Sequence, residues 1–597
     1  MQHRVVSLVF VGIIGVSAAW SCGGTRFDND GGAADATAEG ATFTDSPFMF
    51  PETNAGDGAM CASGCSSDLH SVIDCNGNLL SMCSGSDGCD VKTGTCGNAC
   101  QAAVDNQNSV GCEYYATHME NLLGSTLCFA ATVANTWNTD AHITVEFNGT
   151  TLSNINSFAA IPSGKGQSIT YTPYTGALPA GQVAMLFLGG VQGSPPECPM
   201  ATAEGTAAMY SGTGIGHSFH ITTDVPVVMY EISPYGGGSA AVTGSSLLLP
   251  VSAWDVNYVA STASPDTASP PGITIIASQD NTVVSFLPKV ALTGGGGIPS
   301  GAANATVTFK LNTGEQAQIE QSTDLVGSVI SASLPVGVMA GNPCMNTPYE
   351  VTYCDHGEQM LPPVRALGNE YVGVMYRPRD NEPAIWRLVG AVDGTTLSYS
   401  PSIPGAMDSY PAAATTLNQG DMKEFATGTP FVVTSQDNKH PFLLFEYMAG
   451  SSWTGMTSPN GTGDPDFSVQ VPPQQYLSYY VIMTDPTYPE TNLVLIRRPD
   501  STNTFHDVSI ECLTGPITGW QPIGNYEWTR LDLQTGQFQD VNGCSNGRHQ
   551  LTSDAPFGLN VWGWGTPATS TGYVSYSYPG GMNVQPINGV IVPITPH

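Results

Sequence analysis

The sequence predicts an all-β protein built from four internal repeats, and three observations predict it. A strand entered through proline recurs in TTDVPVVMY (Pro226), SASLPVGVM (Pro335), QDNKHPFLLF (Pro441) and SDAPFGLNV (Pro556), at intervals of roughly 110 residues. A Gly-led turn precedes each proline, at Gly181, Gly314, Gly420 and Gly536. The gap is about twenty residues in the last three units and longer in the first, which places an inserted loop around Gly189 to Gly214. Between these marks run short stretches rich in Val, Ile, Thr and Tyr, punctuated by 68 Gly and 43 Pro. That is strand and turn chemistry, and no long apolar stripe of helical period appears beyond the N-terminus.

The elements follow in order. Residues 1–21 read as a signal peptide: Arg4 gives a positive start, and Val5 to Ala19 is an apolar run too short to span a bilayer. Ser21-Cys22-Gly23-Gly24 then resembles a lipobox, which makes Cys22 the candidate lipidated residue, although Trp20 departs from that pattern. Residues 22–60 are acidic and poor in large apolar side chains, so they read as a flexible tether. Residues 61–110 form a cysteine-rich module, too small for a core of its own and held by disulfides. The chain has 15 Cys, and setting Cys22 aside leaves an even number, as expected of an exported protein with paired thiols. Cys344 with Cys354 and Cys512 with Cys544 are the candidate local bridges.

Residues 111–597 hold the repeats. The second unit shows the pattern best: SSLLLP, NYVAS, ITIIAS, the turn QDNT, VVSFL, ATVTFKL, TGEQAQIE, GSVISAS and PVGVMAG. Asn or Gly supplies the tight turns in EFNGTTL and AVDGTTLSY. Four tandem β-sandwiches and one closed β-propeller-like ring both fit this pattern. An apolar-Pro strand opens units two to four at Pro250, Pro362 and Pro472, and an orphan copy, GVIVPI with Pro593, ends the chain. One end completing the other end's sheet is how a ring removes its edges, so the sequence favours the ring.

Several stretches resemble one known family: GCEYYATHMENL (111–122), GHSFHITTDVPVVMYEISPY (216–235), ITIIASQDNTVVSF (273–286), DLVGSVISASLPVGVMAG (324–341), YCDHGEQMLPP (353–363) and AVDGTTLSYS (391–400). In this order they are similar to the IgGFc-binding protein N-terminal domain family, over roughly residues 110–585. The resemblance implies an extracellular β-rich binding or adhesion module of the kind found in exported lipoproteins of myxobacteria. It carries over no immunoglobulin contact, since no contact motif maps onto these residues.

Charge and motifs narrow the chemistry. With 16 Lys+Arg against 49 Asp+Glu the formal charge is −33, which repels a phosphate backbone and excludes nucleic acid as a partner. GHSFH (216–220) places Ser218 between His217 and His220, but the final Gly of a nucleophile elbow is replaced by His220. YCDHGEQ gathers Asp355, His356 and Glu358, a set able to hold a divalent cation, although a loop pinned by Cys354 is the ordinary reading in the absence of a second ligand cluster. Trp520, Trp528, Trp562 and Trp564 are either stacking surfaces or core, with core the ordinary fate of large aromatics. The Asn-x-Thr triplets at Asn148, Asn304 and Asn460 read as turns. The expectation is a non-enzymatic, lipid-anchored binding or adhesion protein at the cell surface or outer membrane. Its partner would be a protein or a glycan, and no catalytic residue or cofactor is expected beyond the possible cation. A self-assembling envelope or matrix protein and an extracellular hydrolase are the alternatives.

Overall fold

The computed structural model describes residues 63–595, apart from 76, 165–167, 238–239, 265–268, 408 and 454–460. The signal segment, Cys22, the tether, Cys61 and Asn460 lie outside the described residues. Among the described residues the protein is all-β, with one α-helix, Ala99–Asn106, and 3-10 turns. The cysteine-rich module comprises a three-stranded sheet (Gly64–Cys65, Ser71–Ile73, Leu79–Met82) and a hairpin (Asp87–Asp90 with Thr95–Asn98). Disulfides Cys65–Cys89 and Cys83–Cys96 stand in for a core, and Cys100–Cys112 ties the helix to the strand Gly111–Ala116 that follows. Cys75 is also disulfide-bonded. The helix begins where Asn98 accepts the Gln101 N–H and ends on Gln107 in the left-handed conformation.

The proline marks are corners. In the strand Phe219–Ser233, residues 219–223 pair with Gly111–Ala116 and Ile143–Phe147, whereas residues 227–233 pair with Phe129–Asn135 and Gly244–Leu248. Pro226 sits between the two sets. Likewise Val329–Met345 passes from Asp255–Val259 and Thr282–Leu287 to Gly272–Ala277 and Asp355–Met360, turning at Pro335. Arg548–Trp564 passes from Leu477–Met483 and Val508–Ile510 to Glu490–Arg497 and Ser575–Pro579, turning at Pro556. In the third stretch the strand is broken outright into Phe431–Ser435 and Phe442–Tyr447, with Pro441 at the break. A residue without an N–H serves neither ladder, so proline belongs where a strand leaves one sheet for another.

Each corner strand therefore joins an outer and an inner sheet. The outer sheets alternate: Val307, Phe309 and Leu311 are buried while Thr308 and Lys310 are exposed. The inner strands Phe129–Asn135, Gly272–Ala277 and Ala384–Gly390 are buried at every residue, because both faces are covered. The Gly-led turns are left-handed, at φ +70° to +76° for Gly181, Gly314 and Gly420. Gly420 is also a contact, since a Cβ on Gly327 would lie 2.2 Å from its carbonyl oxygen.

The inserted loop of the first stretch has a structural purpose. After Val183–Gly189 it makes the 3-10 turn Gly205–Ala208 and then the strand Gly214–His217, which pairs with Glu315–Glu320 of the second stretch. Cys128–Cys198 pins it. The stretches are not beads on a string: one hydrophobic cluster runs through the module and the first, third and fourth stretches, and another joins the second and third.

The last strand of each stretch faces inward. Gly244–Leu248 packs on Asp355–Met360 and Ser575–Pro579, and Phe467–Val469 packs on the same two. Side chains bind these strands to each other's backbone. Gln359 Nε2 donates to Ser245 O at 2.8 Å and Ser577 O at 2.9 Å, and Thr243 Oγ1 donates to Ser575 O at 2.6 Å. The two ends of the repeat region meet where Ser109 N donates to Met582 O and Val584 N to Gln107 O, both 2.8 Å. The orphan apolar-Pro segment differs from its expected place. It forms no strand on the first stretch but lies against the second and the turn that follows it. Asn588 Nδ2 donates to Val364 O and Leu367 O, Val592 N to Asn257 Oδ1, and Thr306 Oγ1 to Ile594 O. Pro586 and Pro593 withhold the donors a ladder needs, so asparagine side chains hold the segment instead.

Candidate functional site

Two places in the structure concentrate chemistry: the axis where the four inward strands meet, and a cleft between the second and third stretches. At the axis, Glu231, Asp355, Glu358, Asp464 and Asp466 are all buried. Glu231 Oε2 accepts the Thr117 N–H at 2.8 Å, Asp355 Oδ1 accepts the Thr243 N–H at 3.0 Å, and Glu358 Oε2 lies 3.1 Å from His356 Nε2. The second oxygens of Glu231, Asp355, Glu358 and Asp466 have no hydrogen-bond partner. Burial, then mutual repulsion, pushes these carboxyls well above the ordinary range: Glu358 acts on Glu231, and Asp464 and Asp466 act on Asp355. His356 and His118 are driven down to about 3 by burial, so both are neutral.

The structure thus brings His356 and Glu358 together on one face of the strand Asp355–Met360. Asp355 points to the other side, toward Asp464 and Asp466. Asp464 and Asp466 carry no helix or loop motif, and only the topology places them near Asp355. The sole triad of metal-ligand atoms already drawn close among the described residues is Glu511, Cys512 and His549. There the Cys512 sulfur is committed to Cys544, and a disulfide is no thiolate ligand. Cys344 is bonded to Cys354.

Ser218 is buried and donates to Gln316 Oε1 at 2.7 Å, with Thr117 Oγ1 at 2.8 Å. His220 turns away, held between Glu113 and Glu146 at 3.0 Å each. No serine–histidine pair forms there. Trp562 and Trp564 are fully buried against Tyr376, with ring centroids 5.0 and 6.3 Å away. Trp520 and Trp528 are half-buried, each under an arginine: Arg497 at 4.2 Å and Arg530 at 4.8 Å. Asn148 and Asn304 are turn residues at positive φ.

The cleft, of about 610 Å³, is lined by Tyr349, Glu350, Arg387, Tyr410, Met422 and Glu424 among others. Its floor is fixed. Arg387 comes from the buried strand Ala384–Gly390, pairs with Glu424 at 2.8 Å and donates to Thr262 O at 2.7 Å. Its guanidinium also lies 4.8 Å from the Tyr447 ring. Two apolar lining side chains stay open to solvent: Tyr349 is 47% exposed and Met422 38%. Sequence reasoning missed this site, because Tyr349 and Met422 stand in a loop and a distant strand with no shared motif. A rigid charged floor under flexible apolar side chains suits capture of a protein surface.

No curated protein matches the chain. The model of the family described as IgGFc binding protein matches residues 244–563, more than half of the 597 residues. The matched region spans the cleft, three of the four inward strands and two of the three continuous corner strands in part or whole, and the chain belongs to this family of binding proteins.

Proposed function

We propose that this protein is a non-enzymatic binding module for a protein partner, displayed outside the cell by a lipid on Cys22. The tether 22–60 supplies reach, and the disulfide module 61–110 braces the base. The four stretches form a ring whose inner strands are structural and whose outer loops are free to vary. The observation that carries the reading is the exposed pair Tyr349 and Met422 over the fixed Arg387–Glu424 floor of the cleft. Family membership supports the binding role, and the disulfides support an oxidising compartment. Immunoglobulin Fc is an arm of the test, not a part of the reading.

The test is surface-plasmon titration of the secreted chain against candidate surface proteins and Fc, with the Y349A/M422A variant alongside. Loss of the two exposed cleft side chains is expected to weaken binding at least about tenfold, as truncation of an apolar hot spot does. Unchanged affinity in a folded variant removes the cleft from the reading. Adducts of the chain with itself alone favour the self-assembling alternative. For the anchor, metabolic labelling with a radioactive fatty acid is expected to mark the wild type and not Cys22→Ser; equal labelling refutes it.

A further inference from the structure

The inward strands carry more buried acid than the fold explains. Asp355 comes from one of them and Asp464 and Asp466 from the residues just before another, and each is at most 1% exposed. Asp464 Oδ1 accepts the Ser451 N–H at 3.1 Å, and Asp466 Oδ1 accepts the N–H of Phe467 at 2.6 Å. Ser575 links the two sides: its Oγ accepts the Asp464 N–H at 2.9 Å, and its carbonyl accepts from Thr243. Arg379, paired with Glu382 at 3.0 Å, compensates Asp464 in part. Asp355 Oδ2 and Asp466 Oδ2 are left without any partner, as is Glu358 Oε1 next along the axis.

As they stand, these orphan oxygens make no hydrogen bond, and several acids share one buried region. Protonation alone would remove their repulsion but would add O–H groups that themselves need acceptors. A hard cation satisfies several of them at once and removes the repulsion among them. We propose that the axis binds a divalent, oxygen-preferring cation of the calcium class between Asp355, Asp464 and Asp466. Backbone carbonyl and hydroxyl oxygens around Ser575 complete its shell. Ligand oxygens sit about 2.4 Å from such an ion, so binding draws the three carboxylates closer than they now stand. The ion clamps the second, third and fourth stretches to one another at their common centre. The site is distinct from the cleft, and its failure leaves the binding reading untouched.

The experiment uses the full secreted chain, stripped with EDTA and dialysed at pH 7. Calcium chloride is titrated by calorimetry, and thermal unfolding is followed with and without about 1 mM calcium. We expect at least one ion per chain and a rise in melting temperature of about 5 °C or more. Both effects are expected to vanish in D355N/D466N and to persist in Glu511→Gln at the superficial triad. If the double variant does not fold, Asp466→Asn alone decides, since its remaining oxygen still accepts the Phe467 N–H. No calcium uptake by the wild type, or a calcium response that survives the aspartate variants, overturns the proposal. So does a metal-free D466N that gains stability while calcium does nothing, because the axis then holds protons alone.

Discussion

At the scale of single residues, burial decides which side chains have chemistry left to offer. Asp485 shows the effect in a form that can be measured. It is buried with Oδ2 unpartnered and Oδ1 accepting the Thr487 N–H at 2.7 Å. Burial raises its pKa from 3.8 to about 6. A carboxyl whose folded pKa is raised contributes its stability below pH 3.8 and loses it as the pH climbs through 6. The difference is worth about 3 kcal/mol. Asp485→Asn keeps the Thr487 contact and no longer titrates. Its stability relative to the wild type is therefore expected to improve by about that amount between pH 4 and pH 8, read from urea midpoints. A constant gap across that range contradicts the assignment. Residue-scale features were legible in the sequence only where neighbours in the chain are neighbours in space. Cys344 with Cys354 is such a pair, and so is His356 with Glu358. The joining of Asp355 to Asp464 is not, because more than a hundred residues and a change of sheet separate them.

At the scale of elements, the recurring prolines were visible from the start, and their role was not. A proline-led strand reads as the start of a strand. In three of the four stretches it is the middle of one, because the residues on both sides pair, but with different sheets. Periodicity separates outer from inner strands: VTFKL alternates, while ITIIA, apolar except for Thr274, does not. The insertion at Gly189 to Gly214 was legible as extra length, but its pairing with Glu315–Glu320 was not, since edge pairing leaves no mark in the donor strand. Two predictions belong here. Removing Cys128–Cys198, which closes a separation of 70 residues, is expected to cost about 4 kcal/mol in the chain-entropy account. A midpoint shift corresponding to under about 1 kcal/mol contradicts it. Replacing Ile215 with proline removes the N–H that bonds Gly296 O at 3.1 Å. Hydrogen exchange is then expected to quicken at Glu315–Gln318 and to stay unchanged in the outer strand Val307–Leu311. Uniform quickening across the second stretch means that the inserted strand holds the stretch as a whole.

At the scale of the whole molecule, all-β architecture, the disulfide-bearing N-terminal module and family membership were each legible, because composition, cysteine spacing and ordered motifs carry them. The placement of the C-terminal segment was not, since GVIVPI looks like the other apolar-Pro strands and is flanked by prolines that keep it out of a ladder. Deleting residues 586–597 is now expected to loosen Asn257, Thr306 and the Val364–Leu367 turn, and to leave Gly111–Ala116 protected. Protection lost first in the first stretch contradicts that placement. The central claim is that the cleft lined by Tyr349 and Met422 is where a protein partner docks. Its most direct test is photocrosslinking with a benzophenone side chain at position 349 or 422, and at the exposed Ile591 as control, on chain displayed to native surface extract. One saturable adduct from positions 349 and 422, absent from 591, is the predicted result. Adducts that form equally from 591, or none from the cleft, contradict it.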